Sequence, residues 1–125
     1  MTRAIVLFAH GARDPRWAEP FEAVAAQVRA AVPGGRVALA FLELMTPTLA
    51  EALGRLAAEG ATAVDVVPLF LGSGGHVRTD LPALVAALRL AHPEITLRLH
   101  PAIGEHASVV AAMARAAVEA AGFRE

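Results

Sequence analysis

The apolar positions of this chain form short continuous runs that alternate with longer segments of helical periodicity. Residues 4–9, 37–42 and 63–71 hold nearly unbroken apolar runs, which are typical of strands buried on both faces of a parallel sheet. Residues 95–99 alternate apolar and polar side chains, as an edge strand does. Apolar residues at helical spacing separate and follow these runs, so the pattern predicts the order βαβαβαβα.

Prolines and short polar residues predict where the helices begin. Asp14 before Pro15 and Thr46 before Pro47 each read as an N-cap with proline at the first helical position, and Asp80 reads as the third N-cap. The predicted apolar faces are Phe21, Val24, Val28 and Val32; Leu49, Leu53 and Leu56; Leu81, Leu84, Val85 and Leu88; and His106, Val109, Val110 and Met113.

Alternating strands and helices imply a parallel sheet with right-handed crossovers. Four strands are few for a barrel, so the fold expected is a three-layer α/β structure around an open sheet of order 2-1-3-4, as in flavodoxin-like proteins. Strands 1 and 3 would then be central, in agreement with their apolar character. Residues 1–125 are expected to form a single domain.

Composition narrows the classes of function. The net charge of −1 lacks the excess of positive charge that is typical of nucleic-acid-binding proteins. The absence of cysteine excludes metal sites built from thiolates. No apolar run approaches the roughly 20 residues that a membrane span needs. The apolar run near the N-terminus is too short for a convincing signal peptide, so we expect a cytoplasmic protein with no membrane partner.

Polar residues follow the predicted strands at one edge of the sheet. His10 ends strand 1, Glu43 ends strand 2, and a glycine-rich corner from Gly72 to His76 follows strand 3. Ligands of open α/β sheets bind outside the carboxyl ends of the strands, where the strand order reverses. Two histidines and a carboxylate there suit a divalent first-row metal with open coordination positions. The histidines would also serve as bases near neutral pH.

Other groups near this edge suit an anionic ligand. The backbone N–H groups of the corner precede a helix, and Arg13 and Arg78 are suited to pair with carboxylates. His100 also ends a strand, either as an extra ligand or as part of a capped turn before Pro101. The corner lacks the Gly-Lys-Ser/Thr ending of a Walker loop, and no glycine triad follows strand 1.

Three motifs together resemble one family: residues 10–15 (HGARDP), 41–48 (FLELMTPT) and 67–82 (VPLFLGSGGHVRTDLP). The chain resembles the short-form sirohydrochlorin cobaltochelatases of the class II chelatase superfamily over nearly its whole length. Residues 101–104 (PAIG) also fit the family's segment after the last strand. One departure is Ala12, where the family commonly has serine.

The resemblance implies a chelatase-like fold, a homodimer, and insertion of a divalent metal into sirohydrochlorin for cobalamin or sirohaem biosynthesis. The metal is usually Co²⁺, and related members insert Fe²⁺ or Ni²⁺; no cofactor beyond this substrate is implied. The family's metal-binding histidines correspond to His10 and His76, and His10 is also its proton acceptor. The implied substrate contacts are Glu43, Gly72, Ser73, Gly74, Gly75, His76 and Val77.

Two other functions remain open at this stage. A carrier that binds a tetrapyrrole or a metal without turnover could use the same histidines. A flavodoxin-like domain for a phosphate ligand would not need them.

Overall fold

The computed structural model describes residues 2–72 and 74–123, except for the side chain of His76. The four strands are β1 (Arg3–Ala9), β2 (Arg36–Phe41), β3 (Ala63–Pro68) and β4 (Thr96–Leu99). The α-helices are α1 (Ala18–Ala31), α2 (Leu49–Ala58), α3 (Gly75–Ala91) and α4 (Ala107–Ala120). Two short 3-10 helices, Pro15–Trp17 and Ile103–Glu105, precede α1 and α4.

The strands form one parallel sheet of order β2-β1-β3-β4, which confirms the predicted topology. Phe8 at the carboxyl end of β1 is in register with Ala40 of β2 and Pro68 of β3. Pro68 ends β3, because proline has no N–H to continue the ladder. The carboxyl ends of β1, β2 and β3 therefore meet at one edge.

The main core lies between one face of the sheet and helices α2 and α3. The predicted apolar faces of α2 and α3 are both correct. Leu49, Leu53 and Leu56 of α2 are buried. The predicted residues of α3 belong to the same core: Leu81, Leu84, Val85 and Leu88. The members of this core with the least exposure are Val6, Phe8, Ala40, Leu53, Val64, Val66 and Val85. This packing holds β1 and β3 in place, and therefore also the loops that follow their carboxyl ends.

The opposite face of the sheet packs on α1. Phe21 and Val28 are half-buried there, as the sequence predicts, but Val24 is 41% exposed and the neighbouring Ala25 is fully buried. The predicted face of α1 is therefore wrong at Val24. Alanine lets the helix backbone approach the sheet closely, and this small side chain carries no signal of its own in the hydrophobic pattern.

The starts of two helices differ from those that proline predicts. Thr48, rather than Thr46, caps α2, and its hydroxyl and the Glu51 side chain form a capping box. Helix α3 begins at Gly75, so Asp80 lies inside the helix together with Pro82. Proline within a helix removes one backbone hydrogen bond, and here the buried stripe of α3 outweighs that loss. Asp14 does cap the first 3-10 helix, as predicted.

The last helix packs differently from the others. The sequence predicts a helix over residues 105–121, but residues 103–105 form a 3-10 turn and His106 is the N-cap of α4. None of the residues 107–120 is buried. Among the helices of the described residues, none has both the length and the apolar character needed to cross a bilayer.

Candidate active site

His10 and Glu43 lie side by side at the carboxyl edge of the sheet. His10 Nδ1 is 3.3 Å from Glu43 Oε1, and the two side chains are 46% and 43% exposed. The sequence predicted only that both residues lie at this edge, and the structure brings them within hydrogen-bonding distance. The pair is open to solvent and therefore accessible to a ligand.

The loops that carry these two residues are in direct backbone contact. A Cβ atom at Gly11 would collide with the carbonyl oxygen of Glu43, so only glycine fits at this position. The Leu42 N–H also donates to the carbonyl oxygen of Ala9 at 2.8 Å. The short distance between His10 and Glu43 follows from this contact of the loops after β1 and β2.

Two aromatic residues hold His10. The Trp17 indole N–H donates to the His10 carbonyl oxygen at 2.7 Å. The Phe70 ring lies against the imidazole with 4.4 Å between the ring centroids and 32° between the planes. The sequence alone indicates no more than a packing role for Trp17. The hydrogen bond spans a loop, so no helical or strand periodicity indicates it.

The glycine-rich corner after β3 leads directly into α3. Gly74 is the N-cap, and Gly75 and His76 occupy the first turn. Apart from the chain neighbours of each glycine, no atom of the described residues lies within 4 Å of where a Cβ would stand at Gly72, Gly74 or Gly75. Ser73 and the side chain of His76, both predicted to contact substrate, lie outside the described residues.

Metal ligation by the described side chains alone is limited. Among residues 2–72 and 74–123, without the His76 side chain, no three His, Asp or Glu residues converge on a possible metal position. His10 and Glu43 thus offer one imidazole and one carboxylate. A metal substrate held at this edge needs further ligands, such as His76, water or the substrate itself.

The surface around the His10–Glu43 pair is apolar. Leu42, Leu44 and Leu71 are large exposed side chains in the loops after β2 and β3, and Leu71 is 71% exposed. Leu44 has a φ of 65°, a left-handed conformation that is uncommon for leucine. Beside them, a cavity of about 190 Å³ is lined by Phe8, Leu42, Phe70, Val77, Asp80, Leu81 and Leu84. Of the predicted contacts, Val77 thus lies at an apolar cavity.

The two predicted arginines are both exposed. Arg13 lies in the loop before the first 3-10 helix, and Arg78 is the fourth residue of α3, at the end of its first turn. Arg78 lines a separate cavity of about 270 Å³, which also includes His100 and Leu99. The two residues therefore stand at different places, one after β1 and the other beyond β3.

His100 belongs to another cluster. Its Nε2 lies 2.8 Å from Asp65 Oδ1, and Arg98 and Arg3 also contact the Asp65 carboxylate, at 3.0 and 3.4 Å. Burial raises the pKa of Asp65, but the hydrogen bonds from His100, Arg98 and Arg3 outweigh this effect and hold it below its usual value. The sequence reading missed Asp65, although a charged residue inside an apolar strand is a signal that a partner is needed.

The fold and the site together define an open parallel α/β protein with a histidine–carboxylate pair where the strand order reverses. Residues 4–120 match the model of the CbiX family, so the chain belongs to this family. It is similar to the crystal structure of a CbiX protein from Marinobacter aquaeolei VT8, with 34% identity and a TM-score of 0.85. That match covers 97% of this chain and 96% of the other.

Two further relatives differ in length from this chain. The sirohydrochlorin chelatase SirB from Bacillus subtilis subspecies spizizenii, in complex with cobalt, is 28% identical with a TM-score of 0.82; the match covers 95% of this chain and 51% of SirB. The sirohydrochlorin cobaltochelatase of Methanopyrus kandleri is 35% identical over 82 residues, which are 66% of this chain. The chain spans 57% of the length of that relative.

Proposed function

We propose that this protein is a sirohydrochlorin chelatase, which inserts a divalent metal into the tetrapyrrole in cobalamin or sirohaem biosynthesis. Co²⁺ is the proposed metal substrate, with Fe²⁺ and Ni²⁺ as alternatives. The observation that carries the proposal is the open His10–Glu43 pair at the carboxyl edge of the sheet. Membership of the CbiX family and the cobaltochelatase relatives support it.

The geometry of His10 suits both of its proposed roles. When Nδ1–H donates to Glu43, Nε2 is left without a proton and can bind the metal or accept a proton from a pyrrole nitrogen. The Glu43 carboxylate then stabilises the positive charge that protonation places on the imidazole. His76 is the proposed second metal ligand. A site with few protein ligands and an exposed position releases the metal readily, as an insertion reaction requires.

The surroundings suit a flat apolar ring that carries carboxylates. We propose that Leu42, Leu44 and Leu71 contact the ring face. Its carboxylates would bind Arg13, Arg78 and the N–H groups at the amino end of α3, where the helix dipole favours an anion. The remaining proposed substrate contacts are Gly72, Ser73, Gly74, Gly75, His76 and Val77.

We also propose that residues 1–125 act as one chelatase-like domain and that two copies form a homodimer with a shared cleft. The match to SirB supports this, because 95% of this chain covers only 51% of SirB. One SirB chain is thus long enough for a second unit of this size. A cytoplasmic location remains a prediction of the sequence.

Anaerobic metal insertion into sirohydrochlorin, followed by the absorbance change, tests the proposal. Co²⁺, Fe²⁺ and Ni²⁺ are compared with wild-type protein and with the His10→Ala and His76→Ala variants. His92→Ala is the matched control, since His92 ends α3 and contacts Glu94 instead. We expect insertion above the uncatalysed rate, lost in the first two variants and kept in the control. Binding without turnover would instead support a carrier.

A further inference from the structure

The first turns of α3 separate two cavities at the carboxyl edge of the sheet. The smaller cavity, of about 190 Å³, extends towards the loop after β2 and includes Leu42. The larger cavity, of about 270 Å³, extends towards β4 and includes His100. The residues that line both cavities form the wall between them: Phe70, Val77 and Leu81. The helix therefore has one cavity on each side of its start.

The two cavities differ in the charge of their lining. Asp80 is the only charged residue among the described residues that line the smaller cavity. Arg78 lines the larger cavity, where none of the described lining residues is acidic. Residues two positions apart in an α-helix are about 200° apart around its axis, so Arg78 and Asp80 lie on nearly opposite sides of α3. One side of the helix start is thus suited to a cation and the other to an anion.

The cavity with Asp80 lies beside the His10–Glu43 pair. Phe70 in its wall stacks on the His10 imidazole, with 4.4 Å between the ring centroids. Leu42 directly precedes Glu43 in the chain, and it lines this cavity but not the larger one. The other described lining residues are apolar. Because apolar walls screen charge less than water does, a carboxylate at this cavity attracts a cation more strongly than a fully solvated carboxylate does.

Asp80 is exposed and does not cap the helix on which it lies. The N-cap of α3 is Gly74, and Asp80 stands in the second turn. His76, the proposed second metal ligand, is four residues earlier, and residues four positions apart lie on the same side of an α-helix. The helix dipole also favours a carboxylate near this end, but that interaction alone would affect stability and not metal affinity. Asp80 thus shares its side of α3 with His76 and is accessible to a ligand.

We propose that Asp80 captures the divalent metal substrate. Its carboxylate attracts the hydrated ion to the smaller cavity, and the ion then passes to His10 and His76. Imidazole suits first-row metals better than a single carboxylate does, so the transfer runs towards the histidines. On the opposite side of α3, Arg78 binds a carboxylate of the tetrapyrrole. The inference rests on the proposed function and adds the side of the site from which the metal enters.

Separate sides for the two substrates solve a chemical problem of the reaction. The carboxylates of the tetrapyrrole attract a divalent cation themselves and would hold it at the rim of the ring, away from the pyrrole nitrogens. Asp80 repels these carboxylates from the smaller cavity, because like charges placed together disfavour that arrangement. Arg78 attracts them to the other side of the helix. The two charges therefore orient the ring and keep the smaller cavity open to the metal.

Co²⁺ binding in the absence of tetrapyrrole tests the capture role directly. Calorimetric titration of the full chain gives the dissociation constant for the wild type, Asp80→Asn and Asp80→Glu. We expect a rise of about tenfold in Asp80→Asn, as for other residues that support metal ligands, and a return towards the wild-type value in Asp80→Glu. The matched control is Glu94→Gln, which alters an exposed carboxylate beside His92 and should bind as the wild type does.

Steady-state insertion assays distinguish the two sides of α3. Asp80→Asn should raise the KM for Co²⁺ about tenfold and leave the KM for sirohydrochlorin unchanged, and Arg78→Ala should do the reverse. An unchanged dissociation constant for Co²⁺ in Asp80→Asn, or equal changes in both KM values, would overturn the capture role. A wild type whose Co²⁺ affinity depends on Asp80 but which inserts no metal would instead contradict the proposed function and leave the capture role standing.

Discussion

His10 and His100 both follow a strand of the same sheet, and both contact a carboxylate. His10 and Glu43 are each nearly half exposed, with no arginine hydrogen-bonded to the pair among the described residues. The Asp65 side chain beneath His100 is only 10% exposed, and two arginines also bind it. The two histidine–carboxylate pairs are thus chemically similar but differ in burial and in the number of charged partners. An accessible pair is free to exchange protons and ligands, whereas a buried one with saturated partners stabilises the fold.

The largest expected effect is a difference in kcat between variants of His10 and His100. His10→Ala should lower kcat for metal insertion by about 100-fold or more, because it removes the proposed metal ligand and base together. His100→Ala should leave kcat within a few fold. Steady-state insertion assays at saturating metal measure both. Equal losses in the two variants would remove the contrast between the sites.

For the free energy of unfolding we expect the opposite order, with a larger effect at the Asp65 site than at the His10–Glu43 site. Asp65→Asn should lower the free energy of unfolding by about 1–2 kcal/mol, a value reduced from that of a fully buried pair because the cationic partners are partly exposed. Glu43→Gln should change it by less than about 0.5 kcal/mol, as expected of a surface contact. Urea denaturation of both variants checks this. A Glu43 variant as unstable as the Asp65 variant would contradict it.

Acid should reveal the same network. The pKa of Asp65 is below its usual value of 3.8, so its ion pairs stabilise the fold fully above that pH. As the pH falls through 3.8 towards the lower folded-state pKa, this contribution is lost. Wild-type stability measured between pH 6 and 3 should therefore fall more steeply than that of Asp65→Asn. Parallel curves for the two proteins would argue against the assignment.

A smaller effect on activity is expected at Glu43. Glu43→Gln keeps the shape of the side chain but removes the charge that stabilises a protonated His10, so kcat should fall about tenfold. The KM for metal measured in the same assay shows whether Glu43 also binds the ion. Glu105→Gln, an exposed carboxylate in the second 3-10 helix, is a matched control and should behave as wild type.

The smallest effect should come from the indole that holds His10. Trp17→Phe keeps an aromatic ring beside Phe21 and loses the hydrogen bond to the His10 carbonyl. A neutral hydrogen bond contributes about 0.5–1.5 kcal/mol to stability, so the melting temperature should fall by a few degrees, and the looser His10 should lower kcat about threefold. If kcat is unchanged, the hydrogen bond does not position His10.

The strand order and the common edge of His10 and Glu43 could be predicted from sequence, because apolar runs and right-handed crossovers leave few topologies. The contact of 3.3 Å could not, since it depends on Gly11 packing against a loop 32 residues away. The start of α3 was missed because Pro82 suggests a boundary, whereas the buried residues Leu81 and Val85 continue the helix across it. Local sequence rules do not weigh such tertiary packing.

The surroundings of α4 could not be predicted for another reason. Its apolar residues at helical spacing read as a core-facing stripe, and the pattern does not say which surface the stripe meets. His106 was placed on the helix, whereas it is the N-cap, because a histidine that accepts from a backbone N–H has no distinctive sequence signature. The partner of a helix is a property of the whole arrangement.

A side chain at position 11 would collide with the Glu43 carbonyl, whereas no described residue beyond the chain neighbours would touch a Cβ at Gly72 or Gly74. Variation among descendants of this chain is therefore constrained unevenly. Against the described residues, the glycine-rich corner has steric room for new side chains, which would alter the substrate contacts proposed for it. A side chain at position 11 would wedge the loops after β1 and β2 apart and separate His10 from Glu43. New ligand preferences are thus open to this scaffold through the corner, without disturbing that pair.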